Sequence, residues 1–356
     1  MLTSTWSDLS PHRFGSGEGG AWKARTIRTA YYAGHEAVRW PLLFLNRLFF
    51  GVLLGSPRLP PSELPKTVRA VRRRYRDLQR KDLEHAARGT YPVSELFAAP
   101  FAQYARVAPS FFIDALKVVG RARAGNYDDL PGEGASALPA YYRRCFHWQT
   151  DGYLSDHSAR LYDLGVEILF GGMADAMRRQ VIGELGGLPP NPAILDVGCG
   201  TGRLLRQLRA ALPRARLTGI DMSEAYVRHA RSQLDGAALV ETGNAEALPY
   251  ADQSFDAVVS VFMFHELPRR VRQRVFSEMV RVLKPGGVLV IEDAAQLSDS
   301  PELAAVLRQF PRDLHEPFFA QYLDDPLENL FAPPLGQPRC QPVFVAKLVS
   351  ARKHAV

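Results

Sequence analysis

The stretch from Ile194 to Leu205 reads ILDVGCGTGRLL, and it determines the fold class that we predict for this chain. An apolar strand runs into Asp196 and a turn with Gly198, Gly200 and Gly202, and a helix follows. Such glycines permit a tight turn and the close approach of a ligand to the backbone. The pattern GxGxG differs from the GxGxxG of dinucleotide-binding proteins. A carboxylate at Asp196 suits a cationic amino group on the ligand better than a pyrophosphate.

Strand-like and helix-like segments alternate on both sides of this turn. Continuous apolar strands that alternate with helices predict an α/β fold with a parallel sheet covered on both faces. The predicted helices start near Gly202, Ser223 and Pro268. The predicted strands are Ala193–Val197, Leu217–Asp221, Ala238–Thr242, Phe255–Phe262 and Gly287–Glu292.

Two further segments place polar residues at the ends of these strands. Leu217–Ser223 reads LTGIDMS, so Asp221 ends the second strand, where an acidic residue binds ribose hydroxyls in nucleotide-binding folds. The alternative is that Asp221 caps the next helix. Gly243–Leu267 reads GNAEALPYADQSFDAVVSVFMFHEL and puts Asn244 at the end of the third strand.

Together these segments resemble the class I S-adenosylmethionine-dependent methyltransferases, and within them the small-molecule group similar to the ubiquinone and menaquinone methyltransferases. The likeness runs from Pro189 to about Glu292, with VLKPGGVLVIED at Val282–Asp293 as its last motif. It implies S-adenosyl-L-methionine as cofactor and a Rossmann-like, doubly wound, mostly parallel sheet of seven strands. It also implies an antiparallel last strand, which we predict in Pro342–Lys353 after a short or irregular sixth strand.

The resemblance implies roles for the residues of the glycine turn. Asp196 and Gly198 would hold the methionine end of the cofactor. Cys199, Gly200 and Gly202 belong to the same cofactor-binding turn.

It also implies roles at the ends of the next three strands. Asp221 would bind the ribose, and Met222 would lie against the adenine. Asn244 and the backbone of Ala245 would contact the adenine amino group, although the family often has Asp in place of this Asn. Val261 and Phe262 would lie beside the sulfonium and the acceptor.

The residues after the fourth strand are candidates for chemistry on the acceptor. Methyl transfer is an in-line displacement in which the enzyme positions the acceptor and excludes water. A base is needed only if the acceptor must lose a proton. His265 is the first candidate for that base or for an orienting group, and a structural role is the alternative. Glu266 is expected to cap or brace the helix that begins at Pro268.

Aromatic side chains are dense in the segment from Tyr141 to Tyr153. In similar enzymes the region before the core forms a lid, and Tyr142, His147 and Tyr153 are further catalytic candidates that would line the acceptor pocket. Aromatic faces attract a sulfonium through cation–π interactions. The alternative is that most of these rings belong to the core. Asp293–Leu330 is expected to form the other wall.

Charge and composition divide the chain into three predicted regions. Residues 1–134 form a basic helical extension, residues 135–188 an aromatic-rich helical lid segment, and residues 189–356 the methyltransferase domain. The net charge is +7, and the first 140 residues hold 20 Lys and Arg against 12 Asp and Glu. The nearly neutral remainder disfavours a nucleic-acid substrate bound along its phosphates.

Two helical segments of the extension have contrasting patterns. Residues 38–55 are apolar but interrupted by Pro41 and Arg47, and they are short for a membrane span. A buried helix is favoured, and a helix lying on a membrane surface is the alternative, with Arg39, Arg47 and Arg58 towards anionic headgroups. Residues 66–81 place Val68, Val71, Tyr75 and Leu78 on one apolar face, and the arginines around them, among them Arg74, are expected to be solvated.

The predicted function follows from the cofactor motifs. We predict methyl transfer from S-adenosylmethionine to the oxygen, nitrogen or carbon of a small molecule. The alternatives are a lipid or quinone acceptor at a membrane surface, with peripheral contact through the N-terminal region, and a cofactor-binding scaffold without catalysis. Three cysteines without a CxxC motif fit a reducing cytoplasm and predict no metal site.

Overall fold

The computed structural model describes residues 18–47, 59–124, 130, 138–147, 151–313 and 315–355. Within this part of the chain, five α-helices precede the first strand. They are α1 (Glu18–Asn46), α2 (Leu64–Arg88), α3 (Phe101–Ala124), α4 (Asp156–Leu169) and α5 (Ala174–Gly183).

The rest of the described chain forms one sheet with helices on both faces. The sheet order is β3-β2-β1-β4-β5-β7-β6, in which β1 to β5 are parallel and β7 runs antiparallel to β5 and to β6. The predicted mostly parallel, seven-stranded, doubly wound sheet is therefore confirmed. The elements are β1 (Ala193–Val197), α6 (Arg203–Ala211), β2 (Arg216–Asp221), α7 (Glu224–Leu234), β3 (Leu239–Thr242), β4 (Phe255–Val261), α8 (Arg269–Val282), β5 (Leu283–Ala294), α9 (Ala304–Leu307), α10 (Phe310–Asp313), α11 (Phe319–Leu323), β6 (Arg339–Val343) and β7 (Ala346–Arg352).

The predicted last strand covers parts of two strands. β6 ends at Val343, the chain turns at Phe344 with a φ of 54°, and β7 begins at Ala346. β6 is an edge strand of the sheet. Pro342 has no backbone N–H to donate, and such a residue is tolerated in an edge strand. The short sixth strand that we expected is thus these five residues.

The prediction that the arginines of α2 are solvated is wrong for Arg74. Tyr75 and Leu78 are buried as expected, but Arg74 is buried as well, whereas Val68 is exposed. The Arg74 guanidinium donates to the Glu302 carboxylate at 2.9 Å and to the carbonyl of Phe344 at 3.2 Å. An ion pair with a distant segment has replaced water around this side chain.

The apolar stretch of the extension begins at the end of α1. Leu42 and Leu45 pack against a cluster of α3 and α4, whereas Trp40 and Phe44 are exposed. The remainder of that stretch and Arg58 lie outside the described residues. No helix in the described part of the chain combines the length and the apolar character that crossing a bilayer requires.

Candidate active site

A cavity lies at the carboxyl ends of β1, β2, β3 and β4, beneath the tyrosine-rich segment that precedes α4. We call it the cofactor cavity. The predicted residues that line it come from the glycine turn and from the three strand ends that follow: Gly198, Gly200, Asp221, Met222, Asn244, Ala245, Val261 and Phe262. Ligands of open α/β sheets bind at this edge.

Asp196 is the last residue but one of the buried strand β1 and lines a smaller cavity that adjoins the cofactor cavity. Its Oδ2 atom is buried and has no hydrogen-bond partner among the described residues. Burial, together with the nearby Asp221 carboxylate, raises the pKa of Asp196 to about 7. The same small cavity contains Arg178 of α5, which the sequence analysis missed. An unpartnered carboxylate and a guanidinium in one cavity fit the ammonium and carboxylate groups at the methionine end of S-adenosylmethionine.

Asp221 organises the turn as well as lining the cofactor cavity. Its Oδ2 accepts the N–H of Gly200 at 2.9 Å, and its Oδ1 accepts the N–H of Ser223 at 2.8 Å. Burial raises the pKa of Asp221 to about 6 despite these hydrogen bonds. The N-cap of α7 is Ser223 itself, whose side chain accepts the N–H of Tyr226. The interpretation of Asp221 as the helix cap is therefore wrong.

Other residues of the predicted cofactor site differ in where they lie. The Asn244 side-chain oxygen accepts the N–H of Glu246 at 2.9 Å, so it already has a partner in its own loop. Cys199 lines the cavity of Asp196, but Gly202 lines neither cavity. A Cβ on Gly202 would lie 3.0 Å from Leu234, so this glycine permits close packing of α6 on α7.

The tyrosine-rich segment is fastened over the cofactor cavity. The Tyr141 hydroxyl donates to Glu246 at 2.8 Å, and the Tyr153 carbonyl accepts from Ser223 Oγ at 2.5 Å. The rings of Tyr142 and Tyr153 line the cofactor cavity. The structure therefore puts these two candidates on the cofactor side, and their predicted contact with the acceptor stays a prediction.

A second cavity adjoins the first, and we call it the acceptor cavity. The two share Tyr162, Phe262 and Glu266. The walls of the acceptor cavity are largely apolar, with four polar side chains that include two of the predicted candidates. These polar residues are His147, His265, Glu266 and Glu316, and the apolar ones include Val166, Leu169, Phe170, Ala294, Phe310, Phe319 and Val345.

His265 is held in the acceptor cavity by the end of β5. Its Nδ1 atom lies 2.6 Å from Asp293 Oδ1, and its Nε2 atom lies 3.6 Å from Glu316 Oε2. Burial opposes a charge on His265, but the carboxylates of Asp293, Glu316 and Glu266 outweigh it and raise its pKa to about 10.

The prediction that Glu266 caps α8 is wrong. α8 begins without a side-chain cap, and the Glu266 carboxylate instead hydrogen-bonds with His147 Nε2 at 2.9 Å and accepts the Tyr153 hydroxyl. Burial lowers the pKa of His147, but the carboxylates of Glu266 and Glu316 reverse this and raise it. The candidates His147, Tyr153 and His265 thus meet around two carboxylates, of which Glu316 was missed.

The expected second wall is present only in part. Phe319 lines the acceptor cavity, whereas the Tyr322 hydroxyl is buried and donates to the carbonyl of Ala294. Glu316 lies between α10 and α11, in a segment without a motif. Across the described residues, no three His, Cys, Asp or Glu side chains are grouped so that they could hold a metal ion.

Known proteins resemble the chain mainly in this region. Residues 194–287 match a family model described as a methyltransferase domain. The demethylmenaquinone methyltransferase of Thermotoga maritima is 39% identical over 39% of this chain and 58% of its own length. The ubiquinone/menaquinone biosynthesis C-methyltransferase of Syntrophotalea carbinolica is 33% identical over 45% of this chain and 67% of its own length. A crystal structure of a methyltransferase from Methanosarcina mazei shares 23% identity, covering 49% of this chain and 98% of its own, with a TM-score of 0.38.

The matched segment spans between about one third and two thirds of the first curated relatives. The glycine turn, the strand order and the family match agree with one another. The chain belongs to the class I S-adenosylmethionine-dependent methyltransferases.

Proposed function

We propose that the protein transfers a methyl group from S-adenosylmethionine to a small molecule that binds in the acceptor cavity and whose reacting group loses a proton. The observation that carries this proposal is that the acceptor cavity adjoins the cofactor cavity at Phe262 and has an ionisable end formed by His265 and Glu316. A protein that only binds the cofactor has no need of a second buried cavity with titratable side chains beside the cofactor cavity.

The side chains of the chain divide the work of this reaction. S-adenosylmethionine, when bound, supplies an electrophilic methyl group on a sulfonium. Asp196 and Arg178 would fix the methionine end, and Tyr142 and Tyr153 would exclude water from above. His265 and Glu316 would orient the acceptor and handle its proton, which makes near-attack geometry and proton transfer the two contributions of the protein.

A methylation assay tests this function directly. The full chain is incubated with methyl-labelled S-adenosylmethionine and cell extract, or with a panel of phenols, carboxylic acids and amines, and the products are identified by mass spectrometry. We expect label in a small molecule whose methylated group is a hydroxyl or the carbon next to one. Cofactor binding measured by calorimetry without transfer to any acceptor would support the scaffold instead.

A lipidic acceptor at a membrane surface is the second candidate, and the extension supplies the observation that favours it. Nine of the ten large exposed apolar side chains recorded for the described residues fall between residues 40 and 116, and only Leu239 lies in the sheet region. The same part of the sequence carries the excess of positive charge. Phe310 packs against the apolar cluster of α1, α3 and α4 and also lines the acceptor cavity. Apolar and basic surfaces together suit an anionic bilayer.

Vesicle flotation distinguishes the two candidates. We expect the full chain to float with phosphatidylglycerol vesicles more than with phosphatidylcholine vesicles. The double substitution Trp40→Ser and Phe44→Ser should weaken binding by about 10²-fold or more, because each exposed ring contributes about 1.5–3 kcal/mol when buried. Leu239→Ser, which is equally exposed but lies on β3, is the control and should change little. If the wild-type chain does not float, a cytoplasmic protein with a water-soluble acceptor is the better description.

A further inference from the structure

His265 lies between two carboxylates that differ in their own partners. The Asp293 oxygens accept the N–H groups of Phe264 and Ala294, both at 2.7 Å, in addition to contacting His265. Glu316 is 2% exposed, and its Oε2 atom has no hydrogen-bond partner in the described part of the chain. Because Glu316 lines the acceptor cavity, this oxygen is the polar atom that a bound acceptor can satisfy.

The surroundings of His265 decide which group can accept a proton. An imidazole that faces carboxylates at both nitrogens retains both protons, which is the physical reason for its pKa of about 10. A protonated imidazole is a donor at both nitrogens and has no lone pair for a further proton. With carboxylates at both nitrogens, His265 suits the role of a hydrogen-bond donor better than that of the base that we predicted.

Glu316 has the complementary properties. Burial raises its pKa to about 7, with His265 and His147 lowering it and Glu266 and Asp293 raising it. A base whose pKa lies near the working pH is the most effective in general acid–base catalysis. Two tyrosines also belong to this cluster. Tyr153 donates its hydroxyl to Glu266 and not to Glu316, and Tyr162 lines both cavities.

We propose that Glu316 removes the proton of the acceptor's hydroxyl, and that His265 stays protonated and donates a hydrogen bond to the oxygen that becomes anionic. This inference rests on the proposed function and narrows it to a phenol or an enol. Such an acceptor ionises with the help of one carboxylate and one imidazolium. Its flat ring suits the space beside Phe170, Phe262 and Phe319.

The atoms and charges of the step balance without another reagent. The O–H bond of the acceptor breaks, its proton passes to Glu316 Oε2, and its electron pair stays on oxygen. That pair forms the bond to the methyl carbon while the carbon–sulfur bond of the cofactor breaks and its electrons return to sulfur. Glu316 then releases the proton to solvent when the product leaves.

The test compares two acceptors and two substitutions in the full chain. Phenol is un-ionised at pH 7.5 or so, whereas 4-nitrophenol is largely ionised there, and neither needs an identified natural acceptor. We expect Glu316→Gln to lower kcat/KM about 10²-fold with phenol but no more than about threefold with 4-nitrophenol. His265→Gln should lower it about 10²-fold with both, because both pass through an oxyanion. The rise of the wild-type rate through about pH 7 with phenol should be absent in Glu316→Gln.

A second measurement needs no turnover. With S-adenosylhomocysteine bound, the yellow absorbance of 4-nitrophenolate reports its ionisation in the acceptor cavity. We expect bound 4-nitrophenol to ionise at lower pH than free 4-nitrophenol in the wild type and in Glu316→Gln, but not in His265→Gln. Unchanged binding of S-adenosylhomocysteine in both variants shows that they are folded, since neither residue lines the cofactor cavity.

Several results would overturn the inference while leaving the proposed function intact. One is that Glu316→Gln slows the reaction of phenol and of 4-nitrophenol equally, and another is that His265→Gln slows the reaction of phenol alone. The others are that the ionisation of bound 4-nitrophenol is unshifted in the wild type, and that the wild type transfers methyl groups to amines only. Absence of transfer to every acceptor, with the cofactor bound, would instead contradict the proposed function itself.

Discussion

Replacing Asp82 by Ala should lower the free energy of unfolding by about 3–5 kcal/mol. Asp82 is fully buried on α2, where its carboxylate accepts from Arg179 Nε at 2.8 Å, from the Tyr31 hydroxyl at 2.7 Å and from the Tyr91 hydroxyl at 2.6 Å. Without the carboxylate, the guanidinium of Arg179 stays buried without its counter-charge. Urea denaturation followed by circular dichroism measures the loss.

An exposed acid on the same helix provides the control for this experiment. Asp77 is about half exposed and lies 3.9 Å from Arg80, so Asp77→Ala should change stability by less than about 0.5 kcal/mol. Asp82→Asn keeps some hydrogen bonds but loses the charge and should fall between the two. A loss below about 1 kcal/mol for Asp82→Ala would mean that water reaches Arg179 and that the Asp82–Arg179 ion pair is not shielded from solvent.

Replacing Asp196 by Asn should weaken S-adenosylmethionine binding by about 10²- to 10³-fold, because removal of one partner from a buried charge pair costs roughly 3–4 kcal/mol. The unfolding free energy without cofactor should not fall. The buried Asp196 has an unpartnered oxygen, so its charge is a cost to the empty protein. Calorimetric titration and denaturation of the same samples measure both quantities. Asp256→Asn, at the opposite end of the sheet, should leave the affinity unchanged.

The pKa of Asp196 also predicts the pH dependence of binding. A carboxyl whose pKa is raised from 3.8 to about 7 in the folded state makes the empty protein less stable as pH rises across that interval. The ammonium group of the cofactor favours the ionised carboxylate. Affinity should therefore rise with pH up to about 7, with release of a proton on binding below that pH. An affinity in Asp196→Asn with the same pH dependence would assign the effect to Asp221.

The parts of the fold that could be predicted from sequence are those with local signatures. The parallel strands are short apolar runs, and the turn from Asp196 to Gly202 has its own pattern of glycines. The boundary between β6 and β7 was missed because the turn at Phe344 contains neither Gly nor Pro, although its φ is positive.

The parts that could not be predicted depend on contacts between distant segments. Arg178 reaches the cofactor region because α5 packs beside the sheet, and Glu316 reaches His265 through an irregular segment after β5. Arg74 looks solvated until Glu302 is brought beside it by the fold. No local pattern carries such information, so His265 was assigned a role without the two carboxylates that set its charge.

The fastening of the tyrosine-rich segment has a consequence for the speed of the enzyme. Its hydrogen bonds run to Glu246 after β3, to Ser223 after β2 and to Glu266 after β4. A spent cofactor in the cofactor cavity would lie under this segment, and we expect its release to require that these contacts separate. We therefore expect its residence time, rather than the transfer step, to set the maximal turnover rate. The same contacts that shield the sulfonium from water would then limit the maximal turnover rate.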